Sequence, residues 1–396
     1  MNQMIAKPVL KQRIISVDFV RGIVMIIMAL DHCRDLLGDD STTNPTNLQT
    51  TTVALFFTRW ITHLCAPTFV FLSGTSAYLS MQNQTDVIAA RNFLFKRGMW
   101  LVFVNFTINN FAIFFDIHFS VLFSQVIAAI GFGFIILSVL IKLPVKIIAL
   151  LGLIIIFGHD LFTGISFAKG SFAEMIWTLF MKAGFFQLSA NTSLVMSYPI
   201  IPWLGIMLAG FSFGPLYSFP SEKRKKLFLQ IGFCAIILFT IIRFSNLYGD
   251  PFQWSTQKTK FFSFLSFINV SKYPPSLLFA LMTLGISIVI LSVVEGMQNK
   301  ITRLVSVYGK VPLFYWLLHW FIIHFLAIAI FLSQGYHWND FQFGGFGMGH
   351  PKNGGGLSLL GLYLAWAAVV IFLFPISKWY GNYKSAHKEN KWLKYL

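Results

Sequence analysis

Residues 54–80 read ALFFTRWITHLCAPTFVFLSGTSAYLS, and the fold class turns on how that stretch is read. It exceeds the roughly 20 residues that a helix needs to cross a hydrocarbon layer, yet it carries Arg59, His63 and Pro67. Further apolar segments of this kind lie at about 14–36, 93–115, 120–141, 145–165, 197–217, 227–246, 273–294, 311–333 and 357–377. Hydrophobic residues make up 56% of the 396, charged residues only 11%, and 45 are phenylalanine. A water-soluble domain of that balance would expose large apolar patches and aggregate, whereas lipid solvates such faces. The expectation is an all-α polytopic membrane bundle of about ten crossings, with eleven as the alternative count, forming a single domain over 1–396.

The formal charge of +16 is distributed by side. With a cytoplasmic N-terminus, the inner segments hold Lys7, Lys11, Arg13, Arg91, Lys96, Arg97, Lys142, Lys146, Lys223, Arg224, Lys225, Lys226, Lys300, Arg303 and Lys310. The tail adds Lys378, Lys384, Lys388, Lys391 and Lys394. The outer loops hold Arg34, Lys169, Lys182, Arg243, Lys258, Lys260, Lys272 and Lys352. This asymmetry follows the positive-inside rule and puts both termini in the cytoplasm. The basic excess is therefore a topology signal, and nucleic acid is not an expected partner; membrane lipids are. The first crossing keeps Asp18 and Arg21 and has no small-residue cleavage site after it, so it reads as a retained span. Cys33 and Cys65 fall toward the outer side, but their spacing specifies neither a disulfide nor a metal site.

Eight of the nine histidines fall toward the outer side, where the loops are long. Residues 37–53 carry Asp39 and Asp40, and residues 335–356 hold eight glycines among Trp338, Phe341, Phe343 and Phe346. Long ordered loops on one side favour a substrate-facing role over simple capping of the bundle, and the 335–356 loop has the composition of a lid.

Ionisable groups within a bilayer are costly and default to functional candidates. Asp18 and Arg21 lie three residues apart and can pair; Arg21 could hold a phosphate or carboxylate, or tie helices together. At the other end of the same crossing comes Asp31-His32-Cys33-Arg34-Asp35. Asp31 and Asp35 share a face, with His32 rotated about 100° away, and either carboxylate could fix the tautomer of a histidine suited to general base catalysis. Arg59 and His63 share a face, and Pro67 deprives the His63 carbonyl of its helical donor. His319 and His324 are about 140° apart on the ninth crossing and need not share a partner. No His-Glu-x-x-His pattern occurs and no metal is expected; phosphate-cradling and nucleophile-elbow motifs are also absent.

The chain resembles a known family along most of its length. Ser16-Val17-Asp18-Phe19-Val20-Arg21-Gly22 resembles the start of transmembrane acyltransferases. Arg59 to Pro67 with Phe69 to Ser76 is similar to the bacterial heparan-α-glucosaminide N-acetyltransferase-like proteins. So are Tyr198 to Gly205, Asn246 to Pro251, Lys272 to Phe279, Gly309 to Tyr315 with His319, and the ending Trp392 to Leu396. The resemblance implies a bacterial inner-membrane enzyme that moves an acetyl group from cytoplasmic acetyl-CoA to an extracytoplasmic glucosamine-type sugar or glycan, as a dimer. The residue reading and the resemblance together make His32, His63, Asp31, Asp35 and Arg59 the candidates for catalysis. Arg21, Asp18, His319, His324, Asn246, Asp250 and Lys272 are candidates for donor or acceptor binding, with the acceptor expected in a pocket between the first, second and ninth crossings. One motif departs: the lysosomal members carry their histidine in the first non-cytoplasmic loop, and Arg34 to Arg59 holds none here. The broader group that modifies surface glycans has a histidine at the His32 position, which favours His32 as the base. A transporter or flippase for a lipid-linked sugar is the rival reading, because broken helices and midplane polar residues also serve transport; a non-enzymatic membrane subunit is a third.

Overall fold

The computed structural model describes residues 14–39, 44–387 and 389–395. Lys7, Lys11, Arg13, Asp40, Lys388 and Leu396, which entered the readings above, lie outside them. The chain opens with α1 (Ile15–Leu37), α2 (Val53–Thr62), α3 (Cys65–Met81) and α4 (Val87–Val104). A π-helical turn, Asn105–Asn109, joins α4 to α5 (Asn110–Phe114). Strand β1 (Val121–Ser124) leads into α6 (Val126–Leu140), α7 (Val145–Gly158) and α8 (Phe172–Phe180). Strands β2 (Gly184–Gln187) and β3 (Ser193–Met196) precede α9 (Ile200–Phe213), α10 (Ser221–Ser245), α11 (Lys260–Ile268) and α12 (Leu277–Val293). The last part comprises α13 (Lys300–Gly309), α14 (Pro312–Ser333), β4 (Phe341–Gln342), β5 (His350–Pro351) and α15 (Leu359–Ala386).

The molecule is mostly helical, at 69% helix and 5% strand. Among the described residues, two small sheets form where inter-helix loops satisfy their backbone groups on one another: β1-β3-β2, with β1 parallel to β3, and the antiparallel pair β4-β5. Among the described residues, six helical stretches are long and apolar enough to cross a membrane: 53–81, 145–162, 200–218, 221–245, 312–333 and 359–386. Two more, α6 and α12, are apolar but shorter. The other expected crossings correspond to α1 and to α4 with α5, both of which carry charges. This is a multi-pass membrane protein whose helices are not all alike. On α10, Phe233, Ile237, Ile241 and Phe244 are exposed, as are Leu360, Leu364 and Ile371 on α15, which suits lipid contact.

Helix α1 is the axis. It packs against α2, α3, α12, α13, α14 and α15, so protein surrounds most of its length. That enclosure is what lets it keep Asp18, Arg21, Asp31, Arg34 and Asp35, each of which would be costly against lipid. The span 53–81 breaks at His63-Leu64, between α2 and α3, and Pro67 then sits in the first turn of α3, where its missing N–H costs least. Glycines bring neighbouring backbones into contact. A Cβ at Gly74 would strike the Met207 carbonyl and one at Gly210 the Phe71 carbonyl, which locks α3 to α9.

Residues 246–276 form a stapled loop. The Arg243 guanidinium donates to the carbonyls of Phe252 (2.7 Å), Phe267 (2.9 Å), Ser266 (3.1 Å) and Asn269 (3.1 Å). Asn246, in the left-handed region at φ 55°, closes α10 and bonds the Trp254 backbone through both ends of its amide, at 2.8 and 3.0 Å. Asp250 accepts from Phe252 N (2.9 Å), Ser271 N (2.8 Å) and Ser276 Oγ (2.7 Å), while burial lifts its carboxyl above the ordinary carboxylate range. Ser276 also caps α12, accepting from Phe279 N at 3.0 Å. Ser276→Ala removes the cap and one Asp250 partner, and we expect a loss of about 1–2 kcal/mol, read as a fall in melting temperature.

Candidate active site

Seven of the candidate residues gather at the C-terminal end of α1: Asp31, His32, Asp35, Arg59, His63, Lys272 and His319. His32 Nδ1 lies 2.6 Å from His319 Nε2 on α14, and both rings are buried. His32 stacks on Trp320, with centroids 3.9 Å apart, and meets Trp316 edge-on at 5.6 Å. The expectation that Asp31 or Asp35 orients His32 is therefore corrected, because its ring partner is His319. Both carboxylates are engaged elsewhere: Asp31 bridges Arg34 (2.6 Å) and Arg59, and half-exposed Asp35 takes the other arm of Arg34 (2.6 Å). The Asp31–Arg59 pair ties α1 to α2. Carboxylates one and three positions along the helix point away from the imidazole, while a ring across the bundle reaches it.

The hydrogen bonds assign the tautomers of the neutral pair. His319 Nδ1 is 3.1 Å from the Tyr315 carbonyl, which can only accept, so Nδ1 carries the hydrogen. His319 Nε2 then has the lone pair, and His32 Nδ1 must donate to it. His32 Nε2 is left with a lone pair, the form a general base needs. An acceptor that holds the far ring nitrogen does for His32 what a buried carboxylate does in a catalytic triad.

His63 sits at the α2–α3 break, buried, with its ring edge on Phe279 at 5.6 Å. Its Nδ1 has no hydrogen-bond partner among the described residues. Lys272 is also buried, its ammonium 5.1 Å from the Tyr273 ring centroid, and its charge acts on both His32 and His63. Five nominated residues fall outside this group, Asp18 and Arg21 because they sit at the other end of α1. His324 Nε2 donates to the Ile113 carbonyl (2.7 Å) and its ring stacks on Phe115, on another face of α14. Asn246 and Asp250 spend their polar groups inside the stapled loop; Asp250 holds Ser271 and so positions Lys272 at one remove. His159 and Asp160 join α7 to the start of α12 through the Pro275 carbonyl (2.9 Å) and Leu277 N (2.8 Å). The glycine-rich loop reaches the end of α1, where His350 Nε2 lies 3.2 Å from the Asp35 carbonyl. Among the described residues no three His, Cys, Asp or Glu side chains gather as a metal site.

A cavity of about 280 Å³ opens at the opposite end of α1 from the histidines. Arg21, Arg97, Lys310 and Lys384 line its mouth, and Met25, Phe69, Leu101, Val126, Ile127 and Phe134 line its apolar shaft. Arg21 donates to Ser76 Oγ (2.8 Å) and the Gly309 carbonyl (3.2 Å), and pairs with Asp18 at 3.5 Å. The shaft reaches Trp316, the residue whose indole meets His32. Eleven residues of α1 separate Arg21 from His32, a rise of about 16 Å. Sequence reasoning overlooked Trp316 and gave Arg97 and Lys384 only a topological role. A cation within an apolar stretch was the available signal for Arg97, whereas nothing local marks Trp316.

Residues 13–247 match the model of a family described as heparan-alpha-glucosaminide N-acetyltransferase, catalytic. No curated protein matches the chain. The matched region runs from α1 through α10 and includes His32, Arg59, His63 and most of the cavity wall; α14, with His319 and Trp316, lies beyond it.

Proposed function

This chain belongs to the heparan-alpha-glucosaminide N-acetyltransferase catalytic family, a family of membrane acetyltransferases, and from that premise we propose that it moves an acetyl group from acetyl-CoA to an extracytoplasmic amino sugar or glycan, in the inner membrane of a bacterium. The observation that carries the reading is the cavity that starts among four cations and ends at the indole touching His32. Its composition fits the donor: guanidinium and ammonium groups suit the phosphates, and an apolar shaft suits the pantetheine arm. The bound donor supplies the acyl group as a thioester.

On this reading the basic end faces the cytoplasm and the histidine end faces outward. Arg21, Arg97, Lys310 and Lys384 hold the donor's charged part. Trp316 closes the shaft below His32. His32 Nε2 takes the proton from the acceptor amine or hydroxyl as it attacks the carbonyl carbon, and His319 Nε2 accepts from Nδ1–H and steadies the imidazolium. His32 then returns that proton to the leaving sulfur. His63, with its unpartnered Nδ1, and Lys272 face the acceptor.

Purified protein in lipid, given labelled acetyl-CoA and glucosamine, should transfer the label; absence of both transfer and CoA binding would end this reading. Arg21→Gln should raise the KM for acetyl-CoA about tenfold, as expected for one charge-assisted contact, while leaving kcat nearly unchanged.

A further inference from the structure

The turn that joins α4 to α5 holds an amide with one end unused. Asn109 is wholly buried, and Trp316 Nε1 donates to its Oδ1 at 2.7 Å. An indole N–H can only donate, so this bond fixes which end of the amide is oxygen and leaves the NH2 end directed elsewhere. Asn109 Nδ2 has no partner among the described residues. Its neighbours in the turn are fully used: Asn105 bonds the Phe123 carbonyl (2.9 Å) and Gln125 N (3.4 Å), and Asn110 bonds the Val121 carbonyl and Phe123 N, each at 2.8 Å. Those two asparagines hold β1 by satisfying its irregular backbone from within the protein. Asn109 takes no part in that work.

The surroundings also point to a ligand. Leu94 and Leu101 line the cavity on one face of α4, and the wider π turn continues that face toward Asn109. Ser124 Oγ and Gln125 Oε1, just before α6, are likewise buried without hydrogen-bond partners among the described residues. Helix α6 starts without a side-chain cap, and Val126 and Ile127 in its first turn line the cavity. The positive end of a 15-residue helix thus borders the cavity, and the unused amide donor lies directly behind Trp316, which lines it.

We propose that Asn109 is a catalytic residue, donating through Nδ2 to the carbonyl oxygen of the donor thioester, with the start of α6 adding its dipole; this rests on the acyl-transfer reading above. Trp316 stands between the two halves of the reaction, edge-on to His32 and bonded to Asn109. As the acceptor nitrogen or oxygen bonds to the carbonyl carbon, the carbonyl pair moves onto the oxygen, where Asn109 meets the developing charge. His32 Nε2 takes the acceptor's proton. The carbon–sulfur bond then breaks, and the sulfur leaves as CoA thiolate and recovers that proton as the thiol.

Asn109→Asp keeps an oxygen for Trp316 but replaces the amide donor with a carboxyl group and its charge, so Asn109→Ala, which removes the donor without adding charge, is measured beside it. The kcat of Asn109→Asp should fall about 10²–10³-fold, with the KM for acetyl-CoA changed far less. Isotope-edited infrared spectra of bound acetyl-CoA labelled at the carbonyl carbon should show a lower carbonyl stretch in the wild type than in the variant. An unchanged kcat overturns the assignment, and so does a fall in kcat with an unshifted band, which would mark a structural role. If Asn109→Asp does not fold, the same band is compared between wild type and Asn109→Ala. A wild type that neither transfers acetyl nor binds CoA refutes the parent reading and this one together; an active wild type with equally active Asn109 variants refutes this one alone.

Discussion

His32→Ala should lower kcat for acetyl transfer by about 10²–10⁴-fold, the range of a lost general base, with the KM for acetyl-CoA little changed. The expectation follows from three contacts: His319 holds Nδ1, Trp320 stacks on the ring and Trp316 meets its edge at the end of the donor shaft. His319→Ala should fall between the wild type and His32→Ala, because it removes the orienting acceptor and leaves the base. The double variant should be no slower than His32→Ala, since residues that act as a unit are not additive. His63→Ala, measured alongside, discriminates the assignment: transfer lost there and retained in His32→Ala would move the base to the α2–α3 break.

The second large effect concerns stability. Asp31→Leu removes the carboxylate that bridges Arg34 and Arg59, with both guanidiniums remaining in a buried setting. Asp35 still serves Arg34, but Arg59 loses the side-chain charge that pairs with it. Breaking a buried ion pair from one side costs about 3–5 kcal/mol, because the surviving charge stays desolvated. Chemical denaturation in detergent or lipid should show that loss. Asp31→Leu with Arg59→Met, which removes both charges, should recover part of it. A single variant as stable as the wild type would mean that Arg59 reaches water or another anion, and that the α1–α2 tie carries little of the fold.

Much of this was legible in the chain itself. The charges on α1, the break near Pro67 and the membrane class all follow from local composition. The Asp18–Arg21 pair was readable as well, since its members are one helical turn apart. The readings that failed placed partners by nearness in sequence. Asp31 and Asp35 are adjacent to His32 in the chain but aim at arginines. Asn246 and Asp250 belong to a recognisable motif, yet their polar atoms close a loop and do not face the histidines. Lys272 gains its place because Asp250 holds Ser271 beside it.

By itself the sequence determined that lipid is this protein's solvent and which polar residues must be shielded from it, because transfer to a bilayer is a sum over residues and hardly depends on their partners. The tertiary structure alone decided that His319, 287 residues away, sets the tautomer of His32, and that the cavity runs up from Arg21 to Trp316. Those outcomes depend on how close helices approach and how each is rotated. Packing at glycine contacts such as Gly74 with Met207 sets both, and no local pattern encodes them.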